Sequence, residues 1–166
     1  RIKATEITEI TENLDLLTKE MLATMYSAPG IGLAAPQIGI QKRLFVYDWG
    51  TGPGVLINPE IKESDGEWVF EEGCLSIPGL SWELVRPKQI YIVGIDLDGN
   101  EVSIEADELE ARLFQHEMDH LDGVLLVDHL DADQRREANK TLMGIGDDTG
   151  SPLPIVGENL GFTKSE

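Results

Sequence analysis

Positive charge is scarce in this chain: thirteen Lys and Arg stand against thirty-one Asp and Glu, for a formal charge of −18 over 166 residues. Phosphate backbones and anionic lipid surfaces are repelled by such a field, which argues against nucleic acid or a membrane surface as a direct ligand. Cysteine is scarcer still. Cys74 stands alone, so no internal disulfide can form, and a reducing cytoplasm is the compartment that fits. No apolar run is long enough to span a bilayer, and the chain opens on Arg1 without a basic-then-apolar leader, so neither a membrane span nor a secretory signal is expected. Histidine is also rare, and two of the three copies fall within one short stretch, His116 and His120.

What is present is an ordinary globular composition, 41% hydrophobic and 27% charged, in a length suited to one domain spanning 1–166. Thr11 can cap a helix in which Leu14, Leu17, Met21 and Met25 recur at three- and four-residue steps before Pro29-Gly30 stops it. "RLFVYD" (43–48) and "GVLINP" (54–59) read as strands, and Asp98-Gly99 between two alternating runs marks a hairpin over 89–106. Asp107 with Glu110 resembles a capping box for a helix that ends at Asp122-Gly123, and Asp131 with Gln134 opens another over "ADQRREANKTLMG". Residues 144–166 are rich in Gly, Pro and small polar side chains, and read as an extended tail. The expected class is α+β, with the helix that carries the two histidines enclosed by antiparallel sheets.

On a helix that advances about 100° and about 1.5 Å per residue, His116 and His120 share a face and can reach one ion. Leu109 and Leu113 continue that stripe, so the face is a buried one. Glu117 lies at its edge, where a carboxylate can meet a water at the ion without ligating the ion itself. A lone histidine on a buried stripe usually does no more than donate to a carbonyl, but the pattern H-E-x-x-H is hard to meet by chance. Asp119 and Asp122 project away and read as solvated charges.

A catalytic ion needs a third protein ligand and an open position. Downstream, the metzincin pattern fails because Leu126 stands where a third histidine is required, while Glu137 is available for a gluzincin-like zinc endopeptidase. Upstream, Cys74 in "EEGCLSIPG" offers a thiolate, and Gly73 before it lets another backbone approach. A closed structural site would instead recruit His129, the remaining histidine. Cys74 is favoured, with Glu137 and His129 as the alternatives.

"GIGLAAPQ" (30–37), "EGCLS" (72–76) and "QHEMDH" (115–120), in that order, resemble the three signature motifs of the peptide deformylases. The resemblance implies a hydrolase that removes the N-formyl group from the initiator methionine of nascent chains in bacteria or organelles, with Cys74, His116 and His120 as metal ligands and Glu117 as general acid and base. It further implies that Gln37 and the backbone N–H of Leu75 hold the formyl oxygen, and that Gly30, Ile31 and Gly32 form an edge to which the peptide adds as a strand beside Gly73. Ile31 would also line the methionine pocket, and Glu72 with Arg86 would orient the ligands. The ion implied is Fe(2+), replaceable by Zn(2+), Ni(2+) or Co(2+). The partners implied are N-formyl-methionyl peptides and nascent chains, with a transient ribosome contact, although the tail has no counterpart to the basic C-terminal helix by which some members dock. Two departures stand out: the stretch ahead of Ala4 is shorter than the family's usual first strand, and Arg112 replaces an apolar residue that many members carry near the substrate pocket.

Overall fold

The computed structural model describes residues 2–28, 30–73, 81–124 and 126–145. Helix α1 spans Glu12–Ser27, and Thr11 accepts the Leu14 N–H at its start as the sequence leads one to expect. Strands β1 (Gly32–Ala34), β2 (Leu44–Asp48), β3 (Pro53–Asp65), β6 (Gln89–Ile95) and β7 (Glu101–Asp107) form one antiparallel sheet in the order β1-β2-β3-β6-β7. Strands β4 (Trp68–Gly73) and β5 (Ser81–Arg86) pair separately as a two-stranded ribbon. Helix α2 covers Glu108–Asp122, and helix α3 covers Ala132–Ile145 behind a reciprocal Asp131–Gln134 cap.

The five-stranded sheet lies between two apolar clusters. Leu14, Met21 and Met25 of α1 pack with Leu33, Leu44, Val46 and Ile57 on one face. Ala111, Leu113, Phe114, Met118 and Leu121 of α2 pack with Phe45, Leu56, Ile90 and Ile92 on the other. Alternate residues of β2 therefore enter opposite clusters, which is why "LFV" reads as a continuous apolar run rather than an alternating one. The hairpin at Asp98-Gly99 forms as expected, with Gly99 at φ +84° closing the turn between β6 and β7.

Three expectations need correction. Asp107 makes no side-chain cap: it ends β7, and Glu108, at φ +51°, turns the chain directly into α2 while its N–H donates to the Lys88 carbonyl. Helix α2 is not amphipathic in the expected sense, because every residue from Ala111 to Met118 is buried, Arg112, Gln115 and Glu117 among them. A helix buried on all sides and still carrying charge must satisfy those charges internally. The third concerns the segment read as tail, since α3 runs through Gly144 and Ile145, while 146–166 lies outside the described residues.

Candidate active site

Burial of α2 brings its polar side chains against β1 on one side and the β4–β5 ribbon on the other. His116 Nε2 and His120 Nε2 face each other at 3.2 Å, one helical turn apart. His116 Nδ1 lies 3.1 Å from Glu72 Oε1 on β4. A carboxylate there holds the proton on Nδ1 and leaves the Nε2 lone pair directed at the gap between the rings. Burial, and then the neighbouring His116, push the His120 pKa down to about 3, so its ring is uncharged near neutral pH. An uncharged imidazole is the form that ligates metals.

Glu117 completes this group. It is 1% exposed, and its Oε2 has no hydrogen-bond partner among the described residues. Burial, followed by the charge of Asp119, pushes its carboxyl up to about 8. Two imidazole nitrogens facing each other across 3.2 Å are a pair that fits a cation, and a cation near the orphaned Glu117 oxygen would draw its pKa back down.

A pH dependence follows for the metal-free protein. Glu117 holds its proton more tightly folded than unfolded, so its contribution to stability is complete below its ordinary value of 4.5 and is lost as pH rises through about 8. In chelator, the wild-type melting temperature is expected to fall across that window by more than that of Glu117→Gln, which thermal melts at several pH values will read.

The one arginine of the helix goes to a second carboxylate, Glu72. Arg86 on β5 grips Glu72 through two bonds, Nε to Oε2 at 2.7 Å and Nη2 to Oε1 at 3.0 Å. Arg112 Nη1 donates to Glu72 Oε2 at 2.7 Å and to the Leu84 carbonyl at 3.2 Å, and its Nη2 donates to the Trp68 carbonyl. Its guanidinium also lies over the Trp68 and Phe70 rings at 5.5 and 5.8 Å. Burial alone would raise the pKa of Glu72, but hydrogen bonds from His116 and Arg86 hold it well below the usual carboxylate range.

Glu72 and Arg86 thus meet as the resemblance implied. Arg112 belongs to this buried network, which ties α2 to the ribbon. Asp119 is not a solvated charge, since it accepts from Arg86 Nη1 at 2.9 Å and lies 2.7 Å from His129 Nε2, while Asp122 is exposed as expected and accepts from Arg43 at 2.8 Å. Sequence reasoning set Arg112 near the substrate pocket and read Asp119 as solvated, and so missed their partners, although an arginine flanked by Ala111, Leu113 and Phe114 is a signal that a buried anion waits for it.

On the opposite side, β1 is the edge strand of the sheet, with Gly32 against the Glu117 carboxylate. A Cβ at Gly32 would sit 2.7 Å from Leu113 Cδ1 and 2.9 Å from Glu117 Oε1. Gly32→Ala is therefore expected to cost roughly 1–3 kcal/mol of stability and to lower turnover by displacing Glu117, as a denaturant melt and a rate measurement on the same sample will show. Ile31 is buried beside Gly32 at the entry to β1. Gln37 sits in the 3-10 turn Ala35–Ile38, where its Oε1 accepts the Ala34 N–H at 2.9 Å. That cap, the plainer of the two roles a glutamine can take here, orients the amide and reserves its oxygen, so only its NH₂ is left to donate elsewhere.

Among the described residues no group of three His, Cys, Asp or Glu side chains converges as a metal site. Cys74 and Leu75 lie outside the described residues, while Gly73 ends β4, paired with Ser81. Of the alternative ligands, Glu137 is exposed on α3 and His129 turns its Nε2 to Asp119.

The family described as Polypeptide deformylase matches residues 1–136. The chain belongs to the peptide deformylase family. A peptide deformylase of Clostridium botulinum is 52% identical over 128 residues, covering 77% of this chain and 87% of that one. One from Acidothermus cellulolyticus is 45% identical over 142 residues, covering 86% and 79%. Among solved structures, the Thermotoga maritima peptide deformylase is 46% identical with a TM-score of 0.73, covering 78% of this chain and 88% of that one. Peptide deformylase 1B of Arabidopsis thaliana is 39% identical with a TM-score of 0.81, covering 95% and 93%. As a peptide deformylase the chain is a metal-dependent hydrolase that removes the formyl group from N-terminal formyl-methionine of nascent polypeptides and releases formate. The α+β class, with α2 between two antiparallel sheets, is that of these relatives. No described helix is long and apolar enough to cross a membrane.

Proposed function

We propose that Cys74, His116 and His120 hold the ion of this deformylase, that the resident ion is Fe(2+), replaceable by Zn(2+), Ni(2+) or Co(2+), and that Glu117 moves the protons. The observation that carries the reading is the pair of imidazole nitrogens 3.2 Å apart on a helix that also carries a buried Glu117 oxygen with no hydrogen-bond partner among the described residues. Ligand chemistry supports Cys74 as the third ligand, since thiolate with two imidazoles leaves a fourth position open. An ion so held would supply Lewis acidity, lowering the pKa of water toward about 7 and polarising a carbonyl.

The rest of the work falls to side chains and backbone. Glu117 takes a proton from the attacking water as the new C–O bond forms, and returns it to the nitrogen as the formyl C–N bond breaks, which frees formate and an amine. Negative charge growing on the formyl oxygen needs donors fixed in advance. The Gln37 NH₂, held in orientation by its Ala34 cap, and the Leu75 N–H supply them. Glu72 keeps the His116 ring in its ligating tautomer, and Arg86 keeps Glu72 charged and in place. The edge position of β1 supports Gly30, Ile31 and Gly32 as the segment to which the peptide adds as a strand beside Gly73, with Ile31 against the methionine side chain.

The nascent chain reaches the enzyme through a transient ribosome contact, in a reducing cytoplasm where the lone Cys74 stays reduced. Formate release from formyl-Met-Ala-Ser by anaerobically prepared, metal-replete protein tests the reading. Steady release supports it, and none refutes it.

A further inference from the structure

Tyr26 and Asp48 make a contact outside the metal cluster that closes a ring around the start of β1. The Tyr26 hydroxyl, on the last turn of α1, donates to Asp48 Oδ2 at 2.5 Å. Asp48 ends β2, is 5% exposed, and accepts the Gly50 and Gly52 N–H groups on Oδ1 at 2.8 and 3.3 Å. Its own N–H donates to the Ile31 carbonyl at 3.0 Å, which extends the β1–β2 ladder by one residue beyond Gly32–Tyr47. On the helix side, the Gly30 N–H donates to the Met25 carbonyl at 2.9 Å. The end of α1, the end of β2 and the Gly30–Ile31 link are thereby tied into one unit, and the next residue, Gly32, touches the Glu117 carboxylate.

We propose that Tyr26 and Asp48 are a positioning pair for peptide binding: their hydrogen bond sets where the edge strand begins, and so its alignment with the substrate backbone relative to Glu117. The inference rests on the reading of Gly30–Gly32 as the strand to which the peptide adds. Three features favour it. Tyr26 is 42% exposed, so its ring is not there to fill a core. Burial, and then the Asp48 carboxylate, push its phenol up to about 12, so it stays a donor throughout the working pH range. And a peptide that adds to a strand edge gains affinity from a row of backbone hydrogen bonds, each of which is lost when the edge shifts by a fraction of its length.

Tyr26→Phe removes the hydroxyl alone, while the Gly50 and Gly52 N–H groups still hold Asp48, so the fold is retained. Full-length, metal-loaded protein is assayed with formyl-methioninamide, which has almost no peptide to align, and with formyl-Met-Ala-Ser, which has several backbone groups. The expected result is that KM for the longer substrate rises about 3- to 10-fold, as for one net backbone hydrogen bond, with kcat within about twofold and with KM for the short substrate hardly changed. An equal rise for both substrates, or a drop in melting temperature with an unchanged ratio of the two KM values, indicates a merely structural contact and overturns the proposal. Wild-type protein that releases formate from neither substrate overturns the deformylase reading itself, and this inference falls with it.

Discussion

Glu117→Gln is expected to lower kcat for a formyl-methionyl peptide by about 10²- to 10⁴-fold, the usual worth of a positioned acid–base group, while metal content stays unchanged. Gln matches the carboxylate in size, so the packing against Gly32 survives. What it cannot do is accept a proton from water and hand it to an amine. Because Glu117 makes no ion pair in its pocket and carries an oxygen without a hydrogen-bond partner among the described residues, folding gains nothing from its charge. A residue kept for packing alone would be better replaced by an amide or an apolar side chain. Comparison of metal content, melting curve and kcat on one preparation separates the readings: loss of kcat with the other two preserved is the expected pattern, and loss of all three together points to a structural role.

Glu72→Ala is expected to be the most destabilising single change in the described structure, by roughly 3–5 kcal/mol, because it strands two buried guanidinium groups. Arg86 is 5% exposed and Arg112 is 1% exposed, and both spend hydrogen bonds on this one carboxylate. Without it, Arg86 retains Asp119 while Arg112 retains only backbone carbonyls and the Trp68 and Phe70 rings. A denaturant melt of the double variant Glu72→Ala/Arg112→Met should recover part of the loss, since the second change removes the stranded charge; strictly additive losses would mean that Arg112 and Glu72 are not coupled.

The same network sets an acid limit. Glu72 titrates lower folded than unfolded, so its stabilisation is complete above its ordinary value of 4.5 and is lost as pH falls toward its depressed folded value. Variants that lose the carboxylate also release His116 from its orienting partner, and metal affinity should drop about 10- to 100-fold.

Much of the candidate site was legible because its chemistry is local in sequence. His116, Glu117 and His120 lie within two turns of one helix, so helical periodicity alone brings the rings together. Thr11 and the Asp131–Gln134 box each specify a cap through their own side chains, and Gly99 specifies the hairpin turn by its positive φ, so local sequence could place all three. What could not be read depends on partners far apart in the chain. Arg112 meets Glu72 forty positions away, so from sequence it could only be placed near the substrate pocket by likeness to the family. Asp119 looked solvated because aspartates on a helix usually are, and only the fold reveals that Arg86 reaches it. Asp107 failed as a cap for a physical reason: the strand runs straight into the helix, so the backbone turn is made at Glu108.

The joining of Cys74 to the two histidines is the claim on which the chemistry turns, and metal-edge X-ray absorption on the zinc-loaded protein reads it directly. The account predicts one sulfur and two imidazole nitrogens around the ion, with the sulfur contribution gone in Cys74→Ser. A shell of nitrogen and oxygen alone in the wild-type protein would contradict it.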